Sequence, residues 1–135
     1  MSDDAKEVMI YTDGACQPNP GRGGWGAIII EDGKERILKG GEEQTTNNRM
    51  ELMAALHAIQ AVTPKERPIV LCTDSQYLKR GIEEWLPIWV ARQWRRKGGS
   101  LANVDLWQAL AKETHSRPVR WKWIQAHAHN FYNER

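Results

Sequence analysis

Three acidic residues stand where chemistry could be done. Asp13 ends a β-forming run, residues 7–13 (EVMIYTD), and precedes a glycine. Asp74 follows a second apolar run, residues 68–73 (PIVLCT). Glu51 lies near the start of a stretch in which Leu52, Met53, Leu56 and Ile59 recur at helical spacing. In open α/β sheets, ligands bind beyond the carboxyl ends of strands. If the two strands are parallel neighbours, both aspartates sit at one end of the sheet. Each follows by two residues a side chain on its own face, Tyr11 and Cys72, so the pleat permits convergence. The helix start carrying Glu51 could meet the same edge. Three uncompensated carboxylates in a cleft repel one another, and divalent cations remove that cost. Mg²⁺ prefers oxygen ligands and keeps several waters. A pair of such ions about 3.5–4 Å apart stabilises in-line phosphoryl displacement. Each residue also has an ordinary structural role open to it. Asp13 could be a turn residue, Asp74 a helix cap, and Glu51 a helix-start acid complementing the dipole.

The elements that must position these residues follow from period and punctuation. Residues 7–13 read as a strand, 14–26 as a turn dense in Gly, Pro and Asn, and 25–31 as a second strand. Glu31-Asp32-Gly33-Lys34 is a hairpin signal, and 35–41 form a third, more polar strand, completing an antiparallel meander. Thr45-Thr46-Asn47-Asn48 supplies N-cap candidates for a helix that Pro64 closes. Residues 68–73 fit a buried central strand, with a helix beginning after Asp74. Residues 83–97 read as helical but carry Pro87, which predicts two short helices or a break. Asn103-Val104-Asp105 caps a helix reaching about His115, and residues 118–124 alternate as a last strand. The order β-β-β-α-β-α-α-β predicts an α/β fold with one mixed sheet and helices packed on it.

Composition sets the boundaries of the reading. The chain has 135 residues, 41% hydrophobic and 27% charged, which fits one folded domain and excludes a disordered chain. No segment approaches the ~20 apolar residues of a bilayer span, and the acidic start is not a signal peptide. Cys16 and Cys72 share no metal-ligand spacing and make no disulfide framework, which points to a reducing, cytoplasmic setting. The net charge of +2 says little about partners, but its distribution says more. Arg92, Arg95, Arg96 and Lys97 cluster with Trp85, Trp89 and Trp94, and residues 85–102 contain no acid. Such interleaving suits nucleic-acid binding, although a core stripe with a solvated helix end would look the same.

Longer blocks carry a resemblance. Tyr11-Thr12-Asp13-Gly14-Ala15-Cys16, with Asn19-Pro20-Gly21 and Gly23-Gly24-Trp25-Gly26, resembles the opening of bacterial type 1 ribonuclease H. Thr45-Thr46-Asn47-Asn48-Arg49-Met50-Glu51-Leu52, Thr73-Asp74-Ser75-Gln76-Tyr77 and Asn103-Val104-Asp105-Leu106-Trp107 resemble its later blocks, in order, and a His127 loop follows. The resemblance implies the ribonuclease H-like fold, a five-stranded mixed sheet flanked by helices. It implies a single domain over residues 1–135 acting as an endonuclease on the RNA strand of RNA–DNA hybrids. The products would be 5′-phosphate and 3′-hydroxyl ends. The cofactors would be two Mg²⁺ ions, with Mn²⁺ able to substitute; the partner would be the hybrid, bound by a monomer without a membrane. Asp13 would bridge the ions, Glu51 and Asp74 would hold the one on the leaving-group side, and His127 would assist proton movement or product release. Cys16, Asn19, Asn47, Asn48 and Gln76 would contact the substrate, the amides meeting 2′-hydroxyls in the minor groove. Thr46 matches a position near a DNA-phosphate pocket. Trp85 and Trp89 would lie against deoxyriboses, with Arg92, Arg95, Arg96 and Lys97 on phosphates. Trp107, Trp121 and Trp123 take a core or surface-strand reading, and His57 and His115 that of surface loop histidines.

The sequence also departs from the family pattern. The family has a fourth carboxylate on a final helix, two residues past the block matching Asn133-Glu134-Arg135, and no Asp follows Asp105 here. The final helix and that carboxylate are therefore expected to be missing. Three explanations stand: a fragment of a longer chain, imperfect substitution by Asn130, Asn133 or Glu134, or a module that binds hybrids with weak or no cleavage. Ala126 replaces a usual Gly before His127, and Val90 and Ala91 occupy positions often basic in bacterial relatives.

Overall fold

The computed structural model describes residues 7–94 and 102–125. In chain order it contains β1 (Val8–Cys16), β2 (Gly21–Glu31), β3 (Lys34–Thr45), α1 (Asn47–Gln60), β4 (Ile69–Thr73) and α2 (Gln76–Arg80). A π-helical turn over Gly81–Trp85 leads into α3 (Leu86–Ala91), followed by α4 (Val104–Ser116) and β5 (Val119–Trp123). The strands form one five-stranded sheet in the order β3-β2-β1-β4-β5. β1, β2 and β3 make the expected antiparallel meander, and β4 and β5 join in parallel.

Alternation along the strands explains the core. Val8, Ile10, Ala27, Ile29, Ile69 and Leu71 point to the helix side, where Leu52, Ala55, Leu56 and Ile59 of α1 and Trp107 and Leu110 of α4 meet them. Each fully buried aliphatic side chain contributes roughly 1.5–3 kcal/mol. β4 is buried at all five positions, as its unbroken apolar run requires of a strand covered on both faces. β3, the outer strand, is 12 residues long and mostly exposed, with Ile37 among its solvent-facing residues. No helix among the described residues is long and apolar enough to cross a membrane.

Two local expectations are corrected and a third is refined. The opening turn is shorter than residues 14–26, because β1 continues to Cys16 and β2 begins at Gly21. Several glycines there serve close packing within the sheet. Two short helical segments meet beside Pro87, as expected, although without a break between them. The chain stays right-handed helical from Gln76 to Ala91, and the Leu86 N–H reaches back to the Gly81 carbonyl in the wider π pattern. Pro87 then falls near the start of α3, where a missing N–H is tolerated. The path ends when Gln93 and Trp94 turn left-handed, at φ 56° and 66°. Asn103 precedes α4 as expected, but its side chain caps nothing. Its amide instead donates to the Tyr77 hydroxyl at 3.1 Å.

That hydroxyl also accepts from Trp107 Nε1 at 3.1 Å. Tyr77, Trp85, Trp89 and Trp107 form one aromatic cluster, with ring centroids 5.5 to 6.5 Å apart. Gly81 makes room for it, since a Cβ there would overlap the Trp107 ring. At the far end of α1, the side chain of Arg117 is buried. Its two terminal nitrogens donate to the carbonyls of Ile59 and Val62, and Glu113 stands 3.6 Å away. The guanidinium thus adds donors at the end of α1, where the Ile59 carbonyl also accepts from the Val62 N–H at 3.2 Å, and complements the negative end of the helix dipole.

Candidate active site

Tyr11 and Cys72 are register partners in the parallel β1–β4 pair. Asp13 and Asp74 each lie two residues further on, so the convergence argued from the pleat is realised. Glu51 arrives from α1. Gly14 permits this, because a Cβ on it would lie 2.7 Å from the backbone of Met50 and Glu51. The glycine after Asp13 is thus a point of close approach between strand and helix rather than a turn. One carboxylate oxygen from each of Asp13, Glu51 and Asp74 lies within 4.8 Å of the others.

None of the three performs the ordinary role open to it. Asp13 is inside β1 and not in a turn. The cap of α1 is Thr46, whose Oγ1 accepts from the Arg49 N–H at 3.1 Å. The cap of α2 is Ser75, whose Oγ accepts from the Leu78 N–H at 3.1 Å. Glu51 is the fifth residue of α1, and the first turn holds no acid, so a dipole role for it falls away.

The electrostatics mark the cluster as incomplete. Burial, with Asp13 and then Asp74 beside it, pushes the Glu51 carboxyl up to about 8. Burial also raises Asp13, with Asp74 adding to it and a hydrogen bond from the Gly14 backbone opposing. Glu51 Oε1 is buried and has no hydrogen-bond partner. An orphaned carboxylate oxygen beside two further carboxylates is a donor set suited to hard divalent cations, whose charge would reverse these shifts.

The other expected site residues divide into groups. Asn48 and Gln76 are exposed and Asn47 is half-buried, all near the carboxylates in sequence. Asn19 accepts from the Asn47 N–H at 3.1 Å, tying the β1–β2 turn to the start of α1. Cys16 is buried, and its thiol lies 3.2 Å from the Pro18 carbonyl and 3.3 Å from that of Thr45. Its side chain therefore faces the interior of the turn, which leaves its backbone for any contact with substrate. Trp85 and Trp89 are half-buried members of the aromatic cluster, and Arg92 is exposed just past α3. Trp107 is fully buried, while Trp121 and Trp123 stack on β5 with centroids 5.5 Å apart. His57 and His115 lie on helices rather than loops, and His57 stacks on Trp25 at 5.0 Å. His127, Arg95, Arg96 and Lys97 lie outside the described residues.

Two cations went unnoticed in the sequence. Arg49 joins three elements: it bonds Glu42 of β3 at 3.2 Å and Asp105 of α4 at 2.9 Å from its own place on α1. Lys39 lines the groove beside Asp13. Alternation along β3 could have placed Lys39 on that face, but only with the strand register in hand.

Comparison with known proteins agrees with this geometry. The RNase H family model matches residues 5–135. Ribonuclease H of Pseudomonas paraeruginosa strain PA7 is 52% identical over 133 residues, covering 98% of this chain and 89% of the relative. The crystal structure of LC9-RNase H1, a type 1 RNase H with the type 2 active-site motif, superposes with a TM-score of 0.82 at 30% identity, covering 95% of this chain and 67% of that one. LC11-RNase H1 in complex with an RNA/DNA hybrid shares the fold, with a TM-score of 0.66 at 20% identity over 87% of this chain and 85% of that one. On the carboxylate cluster, the sheet order and the match along nearly its whole length, this chain belongs to the RNase H family.

Proposed function

We propose that the chain is an endonuclease that hydrolyses the RNA strand of RNA–DNA hybrids, leaving 5′-phosphate and 3′-hydroxyl ends. The observation that carries this reading is the buried, partnerless Glu51 Oε1 within a trio of carboxylates that cap no helix and close no turn. Asp13, Glu51 and Asp74 would hold two Mg²⁺ ions, with Mn²⁺ able to substitute. Bound there, such ions supply charge for the phosphoryl oxygens and a water acidified for attack. The protein's own part is positioning. Asp13 is the exposed member of the trio and faces the groove. Glu51 is held rigidly by α1 pressed against Gly14. Asn47, Asn48 and Gln76 offer amides that both donate to and accept from the 2′-hydroxyls distinguishing RNA from DNA. Asn19 keeps its amide nitrogen for the same purpose while its oxygen holds the turn. Thr46 would meet a phosphate of the DNA strand while capping α1. Trp85 and Trp89 would present ring edges to deoxyriboses, with Arg92, Arg95, Arg96 and Lys97 on phosphates and His127 aiding proton movement or product release. A cytoplasmic monomer is the setting this reading implies.

The test is cleavage of an end-labelled hybrid across a Mg²⁺ and Mn²⁺ series, with duplex RNA and single strands as controls. Cleavage confined to the RNA of the hybrid is the expected result. Tight binding with the RNA intact in both metals would replace this reading with that of a non-catalytic hybrid-binding module.

A further inference from the structure

Asp13 pairs with Gly26 across β1 and β2, and Gly26 pairs with Lys39 across β2 and β3. Residues directly opposite on neighbouring strands project to one face of a sheet. Lys39 therefore shares the face of Asp13, about 10 Å away by two strand spacings. Both line one groove of about 500 Å³. Lys39 is exposed, and no ion pair among the described residues engages it.

The path from Asp13 to Lys39 carries no side chain at Gly26 or at the neighbouring Gly24. Packing does not demand glycine at either position. An added Cβ would stand 3.4 Å from the Gly40 carbonyl at Gly24 and 3.9 Å from that of Leu38 at Gly26. Neither glycine has a positive φ. Glycine inside a strand weakens it by roughly 0.5–1 kcal/mol, and it marks places where a ligand backbone approaches closely. A phosphodiester strand carries one negative charge per nucleotide. A strand with one phosphate at the carboxylates and their cations would run over this bare floor and bring a second phosphate to the lysine.

We propose that Lys39 binds a phosphate of the strand that is cut at Asp13, reached across the side-chain-free floor of Gly24 and Gly26. This rests on the hydrolase reading above and adds to it a further phosphate contact.

The test measures hybrid binding against KCl concentration in an Asp13→Asn background, which needs no turnover. Lys39→Ala is expected to lower the slope of log K against log salt by about 0.7–0.9, the value for one phosphate contact. In the otherwise wild-type chain, KM should rise several-fold with kcat unchanged, and Lys39→Arg should restore it. Lys65→Ala, an exposed lysine past the opposite end of α1, should change neither quantity. The effect of Lys39→Ala should vanish when the RNA strand is shortened past the lysine while the DNA strand keeps its length. An unchanged salt slope and KM would overturn the assignment. So would an effect that responds only to shortening the DNA. A hybrid that is bound but never cut would defeat the hydrolase reading while leaving the binding result readable.

Discussion

The two ends of α1 each hold a buried charge, and they treat it oppositely. At the carboxyl end, Arg117 is supplied with the carbonyls of Ile59 and Val62 and the carboxylate of Glu113. Near the amino end, Glu51 faces two more carboxylates and leaves Oε1 without a partner. Both sites are costly to desolvate. One offsets part of the cost within the protein, through the Glu113 carboxylate and two carbonyls. The other carries its cost until a ligand arrives, as sites prepared for charged ligands do. A buried charge that meets a counter-charge is thus a structural part, even with Arg117 Nε itself unpartnered, and one surrounded by like charge points to something that binds.

The contrast can be broken at either end. Asp13→Asn should have the largest effect, lowering hybrid cleavage at least about 10³-fold, equivalent to ~4 kcal/mol. Its melting temperature without metal should not fall, since one repulsive charge is gone. Substantial cleavage by purified Asp13→Asn would remove Asp13 from the centre of the site. Arg117→Ala should cost about 3–5 kcal/mol in urea unfolding, because Glu113 loses its counter-charge and the Val62 carbonyl its donor. Cleavage per folded molecule should be retained. A loss of activity at full folding would mean the two ends are not independent.

Between about pH 4.5 and 8 the folded protein retains on Glu51 a proton that the unfolded chain has released. Unfolding then releases a proton, so stability without metal falls as pH rises through that window and levels off above it. Asp13 contributes in the same direction. A decline of about a few kcal/mol is expected in EDTA. Glu51→Gln should remove most of it, and Mg²⁺ should restore stability at the alkaline end. Urea midpoints that stay flat with pH in EDTA would show the carboxylates to be better compensated than their surroundings imply. The smallest effect belongs to a local contact. Thr46→Ala removes the cap of α1 and should cost about 1 kcal/mol, read as a shift in the urea midpoint.

Much of this was legible beforehand for a physical reason. Residues 68–73 could only be a strand covered on both faces, and Asp13 and Asp74 stood at matching places after Tyr11 and Cys72. The meeting of the three carboxylates therefore followed once β1 and β4 were neighbours. What stayed hidden depended on contacts distant in sequence. Gly14 looks like a turn residue until α1 is seen against it. Cys16 looks available until its thiol is seen against the Pro18 and Thr45 carbonyls. Pro87 marks where two short helical segments meet, but the π turn before it leaves no trace in the period. Asn103 looks like a cap, yet its amide is drawn to Tyr77 and its oxygen lies 3.4 Å from Arg49. Side chains that bond across the fold leave no periodic trace.

The long outer strand has a consequence for how copies of this chain meet. An edge of 12 residues offers unpaired backbone groups along one side and is an open invitation to a neighbour's strand. Here Lys34, Glu35, Arg36, Lys39, Glu42 and Glu43 crowd that edge, and the β2–β3 register shifts between Gly21 and Gly23. Charge and a local kink are the means by which sheets discourage edge-to-edge growth. The exposed Ile37 thus sits on an edge rich in charge, and the strand that frames the groove carries the features that discourage a second copy from pairing along it.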